Sequence, residues 1–265
     1  MPSRILVGII GLPITIACLI TGGLPTAAFL LVVIVVCAYE MHKITALAGY
    51  NLSLPLMVAG SISFLFDAVI AGGKYVGLIL IIVLIINSFL IIGKDVYERA
   101  LEKNAIMLFA VIYCGWSMSK FYFLREMSFK IAFTTLAIVW LCDIFALSSG
   151  RIFGRNKLSP NISPGKTVEG SIGGVVGTLI FMIAAKLIGE HTGLFTLWSI
   201  PAIVLMTVSF TLIGQIGDLF ESALKRWVGV KDSSSILLSH GGMLDRFDSF
   251  IFAVPFAYYV FLLIM

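Results

Sequence analysis

Residues 75–93 read YVGLILIIVLIINSFLIIG, a run without a single charged side chain. A helix needs about 20 mostly apolar residues to cross a bilayer, so this stretch predicts a transmembrane helix. The rest of the chain is similar, since 60% of its 265 residues are hydrophobic, 12% are charged, and the mean hydropathy is +1.08. Soluble domains usually contain about a quarter charged residues. The composition excludes a water-soluble globular protein and leaves no room for a sizeable domain outside the membrane.

Other apolar runs end at charges or at glycine and proline, which gives about nine predicted crossings. The runs are continuous rather than alternating, so they predict helices and exclude a closed β-barrel. The predicted fold class is an all-α polytopic integral membrane protein. Its spans are residues 5–21, 25–41, 53–71, 75–93, 104–123, 129–148, 171–189, 195–217 and 249–265.

The basic residues divide unevenly between the two sides of these spans. Of the 18 Lys and Arg residues, 13 fall on the side of the N-terminus and five on the other. Because cytoplasmic loops carry the excess of Lys and Arg, the N-terminus is predicted to be cytoplasmic. The polar loops 149–170 and 218–248 would lie on that side of the inner membrane.

Unusual charged residues concentrate in the C-terminal half. Residues 1–125 are predicted to be structural transmembrane helices, with an interface as a further role, and residues 126–265 to be the catalytic region. Asp143 lies in an apolar helix, where an ionisable side chain is costly and is a functional candidate by default. Pairing with a neighbouring helix for packing alone is the alternative.

The loop after this helix is basic and rich in glycine and proline. Its basic residues are Arg151, Arg155, Lys157 and Lys166. Glycine and proline interrupt a helix and leave backbone N–H groups free, a combination suited to polyanions. A purely topological loop that meets anionic lipid headgroups is the alternative. The glycines at 170, 173 and 177 recur at helical spacing and predict close helix packing.

Two further segments carry carboxylates. Asp218, Glu221, Ser222 and Lys225 are spaced to share one face of a helix. Asp245 and Asp248 stand at the start of the last span, after the His240-Gly241-Gly242 segment, in which the histidine is either a ligand or base or a polar turn residue. Carboxylate oxygens suit a hard cation such as Mg²⁺, which takes one or two carboxylates together with waters and substrate phosphates.

Carboxylates and basic groups on one side of a membrane core suit a reaction between an anionic lipid and a nucleoside triphosphate. The cation would hold the phosphates, and Lys and Arg would neutralise the charge that develops during displacement. A phosphate monoester is already anionic at neutral pH. No protein nucleophile is therefore required.

Two ordered blocks of residues resemble a known family. The first runs Ser222-x-x-Lys225-Arg226, Lys231-Asp232 and His240-Gly241-Gly242-x-x-Asp245-Arg246-x-Asp248. The second, upstream, contains Gly150-Arg151-x-Phe153-Gly154, Ser163-Pro164, Lys166-Thr167 and Glu169-Gly170. Together they resemble the signature of phosphatidate cytidylyltransferases, also called CDP-diacylglycerol synthases. The resemblance implies that CTP and phosphatidate give CDP-diacylglycerol and pyrophosphate in the cytoplasmic membrane.

The resemblance also implies roles for individual residues. Mg²⁺, with the number of cations left open, would be held first by Asp218 and Asp245, with Asp143 and Glu221 beside them or sharing it. The residues expected to act on the reacting phosphates are Lys166, Ser222, Lys225, Arg226 and Asp248. The residues expected to bind substrate are Arg151, Arg155, Lys157, Ser163, Thr167, Lys231, His240, Gly241, Gly242 and Arg246. The expected partners are CTP, phosphatidate and membrane lipid, without nucleic acid, and a homo-oligomer is compatible with the glycine-rich helix.

Two alternative functions are also compatible with the sequence. The first is a CTP-dependent transferase or kinase that acts on another lipid acceptor, since the headgroup chemistry would be the same. The second is an ion-coupled secondary transporter. Transporters usually carry internal repeats with sites in both halves, whereas the ionisable residues here crowd one half.

Overall fold

The structure is a computed structural model that describes residues 13–93, 98–193, 198–234 and 241–264. Most of this part of the chain is helical. The helices are α1 (13–21), α2 (Gly23–Leu47), α3 (Leu54–Phe66), α4 (Val76–Gly93), α5 (Ala100–Val111), α6 (Ser117–Met127), α7 (Phe129–Phe153), α8 (Val168–Thr192), α9 (Ile200–Trp227) and α10 (Leu244–Ile264). Two π-helical segments, Asp67–Ala71 after α3 and Ile112–Trp116 between α5 and α6, extend their neighbours. A two-stranded hairpin of β1 (Lys157–Ser159) and β2 (Ser163–Thr167) joins α7 to α8.

Within the described residues, eight helical segments are long and apolar enough to cross a membrane. Each matches one predicted span, from the second to the ninth. The prediction of an all-α polytopic membrane protein is confirmed. Of the first predicted span, residues 13–21 are helical and residues 5–12 lie outside the described residues.

Several helices continue past the charges that ended the predicted spans. α7 runs to Phe153 and α9 to Trp227, while α10 begins at Leu244. The predicted loop 149–170 therefore contains the end of α7, the hairpin and the start of α8, and the predicted loop 218–248 begins and ends in helix. Charge limits the apolar run but not backbone hydrogen bonding, so a helix can continue beyond the hydrophobic segment.

The chain divides into two compact units. The first unit is Met1–Phe129 with Leu224–Phe247, and the second is Lys130–Ala223 with Asp248–Met265. The structural role predicted for residues 1–125 and the catalytic role predicted for residues 126–265 stay predictions. Residues 224–247 cluster with the N-terminal helices. The reason is a set of contacts within the first unit. Trp227 lies against Tyr50, with ring centroids 6.1 Å apart, and the segment after it is hydrogen-bonded to Glu40.

Each unit has its own apolar core. In the first unit, Ile34, Cys37 and Ala38 of α2 are fully buried, and α2 packs against α3. In the second unit, α9 and α10 approach closely because Gly217 lacks a side chain; a Cβ there would lie 2.7 Å from the carbonyl oxygen of Asp248. This close approach places Asp248 beside the polar end of α9.

Candidate active site

The second unit contains a cavity of about 440 Å³. Its size falls within the range of pockets that bind small molecules. α7, the hairpin, the start of α8, and α9 supply the walls. The lining residues are Asp143, Ala146, Leu147, Gly150, Arg151, Leu158, Ser163, Gly165, Lys166, Thr167, Gly170, Ser171, Gln215 and Asp218. The upstream block of the sequence motif thus lines one cavity together with Asp143 of α7 and Asp218 of α9.

Glycines bring α8 against α7 along one side of this cavity. A Cβ at Gly170 would lie 2.9 Å from the carbonyl oxygen of Ala146, and one at Gly177 would lie 2.7 Å from the Phe145 ring. A Cβ at Gly173 would collide with Ser149. These contacts confirm the prediction that the glycines at 170, 173 and 177 serve close helix packing.

The hairpin carries Lys157 and Lys166, and Lys166 lines the cavity. β1 and β2 are antiparallel, with Lys157 opposite Thr167, and Thr167 caps α8 by accepting a hydrogen bond from the Gly170 N–H at 3.1 Å. Glu169 anchors the hairpin to α8 because its carboxylate accepts hydrogen bonds from the backbone N–H groups of Arg155 and Asn156. The loop therefore contains a regular hairpin, and two backbone N–H groups just before it already have partners within the protein.

Lys166 of β2 forms an ion pair with Asp218 of α9. Each side chain keeps about a quarter of its surface exposed, 27% for the lysine and 26% for the aspartate. The pair therefore remains accessible from the cavity, and both partners were predicted as site residues from the sequence.

Four carboxylates of the second unit form what we call the acidic cluster. Its members are Asp143, Asp218, Glu221 and Asp248. The charges of the other three are close enough to Asp248 to repel its carboxylate. Glu221 is buried, with 1% of its surface exposed. Like charges at close range are unfavourable, so the cluster favours a bound cation or basic group.

The donor chemistry of the acidic cluster fits Mg²⁺. In the described part of the chain, no three His, Cys, Asp or Glu side chains are arranged as a ready-made metal site. Mg²⁺ usually needs only one or two carboxylates, because waters and substrate phosphates complete its shell. The Lys166 ammonium already places a positive charge against Asp218, where such a cation would bind.

The remaining predicted metal ligand, Asp245, belongs to the first unit and has other partners. Its Oδ1 pairs with Lys225 Nζ at 2.5 Å. Its Oδ2 accepts hydrogen bonds from the Ser233 N–H at 3.0 Å, the Ser233 hydroxyl at 2.9 Å and the Gly242 N–H at 2.7 Å. A metal-binding role for Asp245 stays a prediction, and it would require one of these donors to move.

The other predicted site residues are distributed as follows. Arg151, Ser163 and Thr167 line the cavity of the second unit, and Ser222 lies on α9 in the same unit. The Arg226 guanidinium donates to the carbonyl oxygen of Val230 at 2.9 Å. Gly241 adopts φ +75° before the start of α10. The exposed residues are Arg155, Lys157, Lys231 and Arg246, and His240 lies outside the described residues.

Sequence reasoning missed two polar residues that the structure places at key contacts. Gln215 lines the cavity, and its side-chain amide donates to the carbonyl oxygen of Ser171 at 3.3 Å. Glu40 is fully buried in α2 of the first unit. Each is a polar residue within or at the end of an apolar run, which was the signal that identified Asp143.

Comparison with known proteins gives one consistent family. The profile of the Cytidylyltransferase family matches residues 2–264. A protein of Staphylococcus epidermidis named phosphatidate cytidylyltransferase is 33% identical over 259 residues, which cover 96% of both chains. Proteins of the same name from Staphylococcus haemolyticus and Staphylococcus aureus are each 34% identical, over 262 and 258 residues, again covering 96% of both chains.

Proposed function

This chain belongs to the Cytidylyltransferase family, and from that premise we propose that it transfers the cytidylyl group of CTP to phosphatidate. The names of its relatives support phosphatidate as the acceptor. The observation that carries the proposal is the cavity of the second unit, where Lys166 forms an ion pair with Asp218, a member of the acidic cluster. The second unit thus provides basic side chains that can bind phosphates. It also provides carboxylates that can bind a cation.

The proposed reaction is a single in-line displacement. An oxygen of the phosphatidate phosphate attacks the α-phosphorus of CTP and forms a new P–O bond. The bond from this phosphorus to the oxygen that bridges it to the β-phosphorus breaks, and pyrophosphate leaves with that electron pair. The products are CDP-diacylglycerol and pyrophosphate, and the protein forms no covalent intermediate.

Lys166 and Arg151 are the basic residues of the cavity that would neutralise the phosphates. Both line the cavity, and Lys166 would exchange its contact with Asp218 for a phosphate oxygen when substrate binds. The hydroxyl groups of Ser163 and Thr167 lie in the same lining and can donate to phosphate oxygens. These contacts would position CTP and stabilise the charge that develops on its phosphates.

The acidic cluster would hold Mg²⁺. Asp218, freed from Lys166, and Asp248 would be the ligands, with Asp143 and Glu221 beside them. The bound cation would supply positive charge that lowers the repulsion between the two anionic substrates.

The proposed orientation places this chemistry at the cytoplasmic side of the inner membrane. The 13 to five division of basic residues supports a cytoplasmic N-terminus. CTP is a soluble nucleotide, whereas phosphatidate resides in the bilayer. A site at the end of membrane-spanning helices suits both substrates.

The test is incubation of the purified full-length protein with Mg²⁺, a panel of lipid phosphates and CTP labelled either at the α- or at the γ-phosphorus. We expect label from the α-position, and not from the γ-position, to appear in the lipid product CDP-diacylglycerol, with pyrophosphate released in equal amount.

The panel also separates the alternatives. Transfer of the γ-label would identify a lipid kinase. Nucleotidylation of a polyprenyl or ether lipid phosphate in preference to phosphatidate would identify a different acceptor. No labelled lipid from a folded protein would refute the proposed function.

A further inference from the structure

We infer that Glu40, in the N-terminal part of the chain, is a positioning residue that holds the start of α10 and thereby orients Asp245. The inference rests on the proposed function, because Asp245 belongs to the motif that resembles the cytidylyltransferase signature. All contacts that carry it lie within the first unit.

Glu40 is an ionisable residue of α2 with 0% of its surface exposed, and it follows an apolar run over residues 27–38. Burying a carboxylate is costly unless hydrogen bonds compensate, and charged residues inside membrane segments usually serve a function. The position of Glu40 therefore requires specific partners.

Four donors surround the Glu40 carboxylate. Oε1 accepts hydrogen bonds from the Met243 N–H at 2.9 Å and the Ser234 hydroxyl at 2.5 Å. Oε2 accepts from the Leu244 N–H at 2.8 Å and the Ser233 hydroxyl at 3.0 Å. Backbone N–H groups at the start of a helix have no partner within that helix and carry partial positive charge. A side chain of α2 thus caps α10 and fixes the preceding serines.

These contacts connect Glu40 to Asp245 through a shared donor. The Ser233 hydroxyl lies 3.0 Å from Glu40 Oε2 and 2.9 Å from Asp245 Oδ2, yet a hydroxyl carries only one proton. A change at Glu40 therefore alters what Ser233 can donate to Asp245. Gly242 reinforces the connection, because its N–H donates to Asp245 and a Cβ there would lie 2.5 Å from both Glu40 oxygens.

Glu40→Gln is the decisive variant, since it keeps the side-chain volume but replaces one acceptor oxygen with an amide NH2 group that faces other donors. Glu126→Gln is the matched control, because Glu126 Oε1 accepts from the Gly23 N–H at 3.0 Å and caps α2 in the same unit. We expect Glu40→Gln to lower kcat for CDP-diacylglycerol formation by about 10- to 100-fold, the cost of losing a group that orients an active residue. The KM for CTP should change little, and Glu126→Gln should match the wild type in both constants.

Two measurements separate positioning from a loss of stability. Hydrogen exchange of the Met243 and Leu244 amides should accelerate in Glu40→Gln, while α3 and α5 keep wild-type protection. In a double-mutant cycle with Ser233→Ala, the double variant should lose no more activity than the worse single variant. If Glu40→Gln does not fold, Ser234→Ala removes one donor to Glu40 and should produce a smaller change of the same kind.

Wild-type kcat in a folded Glu40→Gln, unchanged exchange at the start of α10, or strictly additive losses with Ser233→Ala would each overturn the inference. A wild-type protein that nucleotidylates no lipid phosphate would instead refute the proposed function. The exchange measurement would then still decide whether Glu40 holds the start of α10.

Discussion

Lys166 of β2 and Asp218 of α9 form an ion pair at the wall of the second unit's cavity. The hairpin and the helix are thus joined there by opposite charges. A nucleoside triphosphate would compete with Asp218 for the lysine, and a divalent cation would compete with Lys166 for the aspartate. Binding of both would replace one internal ion pair with two contacts to ligands.

Asp218→Asn and Lys166→Gln should each abolish most Mg²⁺-dependent pyrophosphate release from CTP. Loss of one electrostatic contact to a developing charge typically costs at least about 100-fold in rate. The measurement is initial rate with purified protein and phosphatidate, together with a melting curve in detergent to establish folding.

The second unit offers a matched control in the Lys186–Glu190 ion pair of α8. Lys186→Gln and Glu190→Gln make the same chemical changes away from the cavity lining and should retain wild-type rates. Full activity in Asp218→Asn or Lys166→Gln would remove that residue from the site.

Mg²⁺ and CTP together should raise the unfolding temperature of the wild-type protein, and EDTA should reverse the increase. Ligand at about 100 times its Kd stabilises the folded state by about 2.7 kcal/mol. Asp218→Asn should show no increase with Mg²⁺ and CTP. An equal increase in the variant and the wild type would place the cation elsewhere.

Gly170→Ala should destabilise the protein, because the added methyl group would lie 2.9 Å from the backbone carbonyl oxygen of Ala146. A backbone carbonyl cannot rotate away as a side chain can, so the free energy of unfolding should fall by about 1–3 kcal/mol. The measurement is the free energy of unfolding in detergent. Gly165→Ala is the control, since no atom lies within 4 Å of a Cβ there and stability should not change.

Lys225→Met should also destabilise the protein, because it leaves the Asp245 carboxylate without its cationic partner. The two side chains are only 11% and 7% exposed, and breaking a buried ion pair costs about 3–5 kcal/mol. The three remaining hydrogen bonds to Asp245 favour the lower end of that range. Lys231→Met, at an exposed position of the same unit, should leave the free energy of unfolding unchanged.

The membrane spans could be predicted from sequence because an apolar run of bilayer length has few other structures available to it. The residues at which the helices end could not be predicted in the same way. α9 continues to Trp227 through charged residues, because hydrogen bonds and not hydropathy decide where a helix ends. The hairpin was also missed, since strands of three and five residues containing Pro164 and Gly165 lack a recognisable alternating pattern.

The cavity residues Asp143, Lys166 and Asp218 were predictable because each combines charge with an apolar or glycine-rich surrounding. Contacts between segments that are far apart in the sequence were not predictable. Glu40 and Ser233 are 193 residues apart, and nothing in the local sequence of either one specifies the other. The same holds for Gln215 and Ser171, whose pairing depends on how α8 and α9 pack.

The contacts of Glu40 also bear on how the protein is made. The ribosome synthesises α2 long before the segment that Glu40 caps, so the carboxylate has none of these donors until residues 233–244 have been made. The motif that contains Asp245 therefore folds against helices that are made before it. The N-terminal helices thus hold the motif in its conformation as well as spanning the membrane. Exchanging them for unrelated membrane segments would remove the Glu40 contacts and with them that conformation.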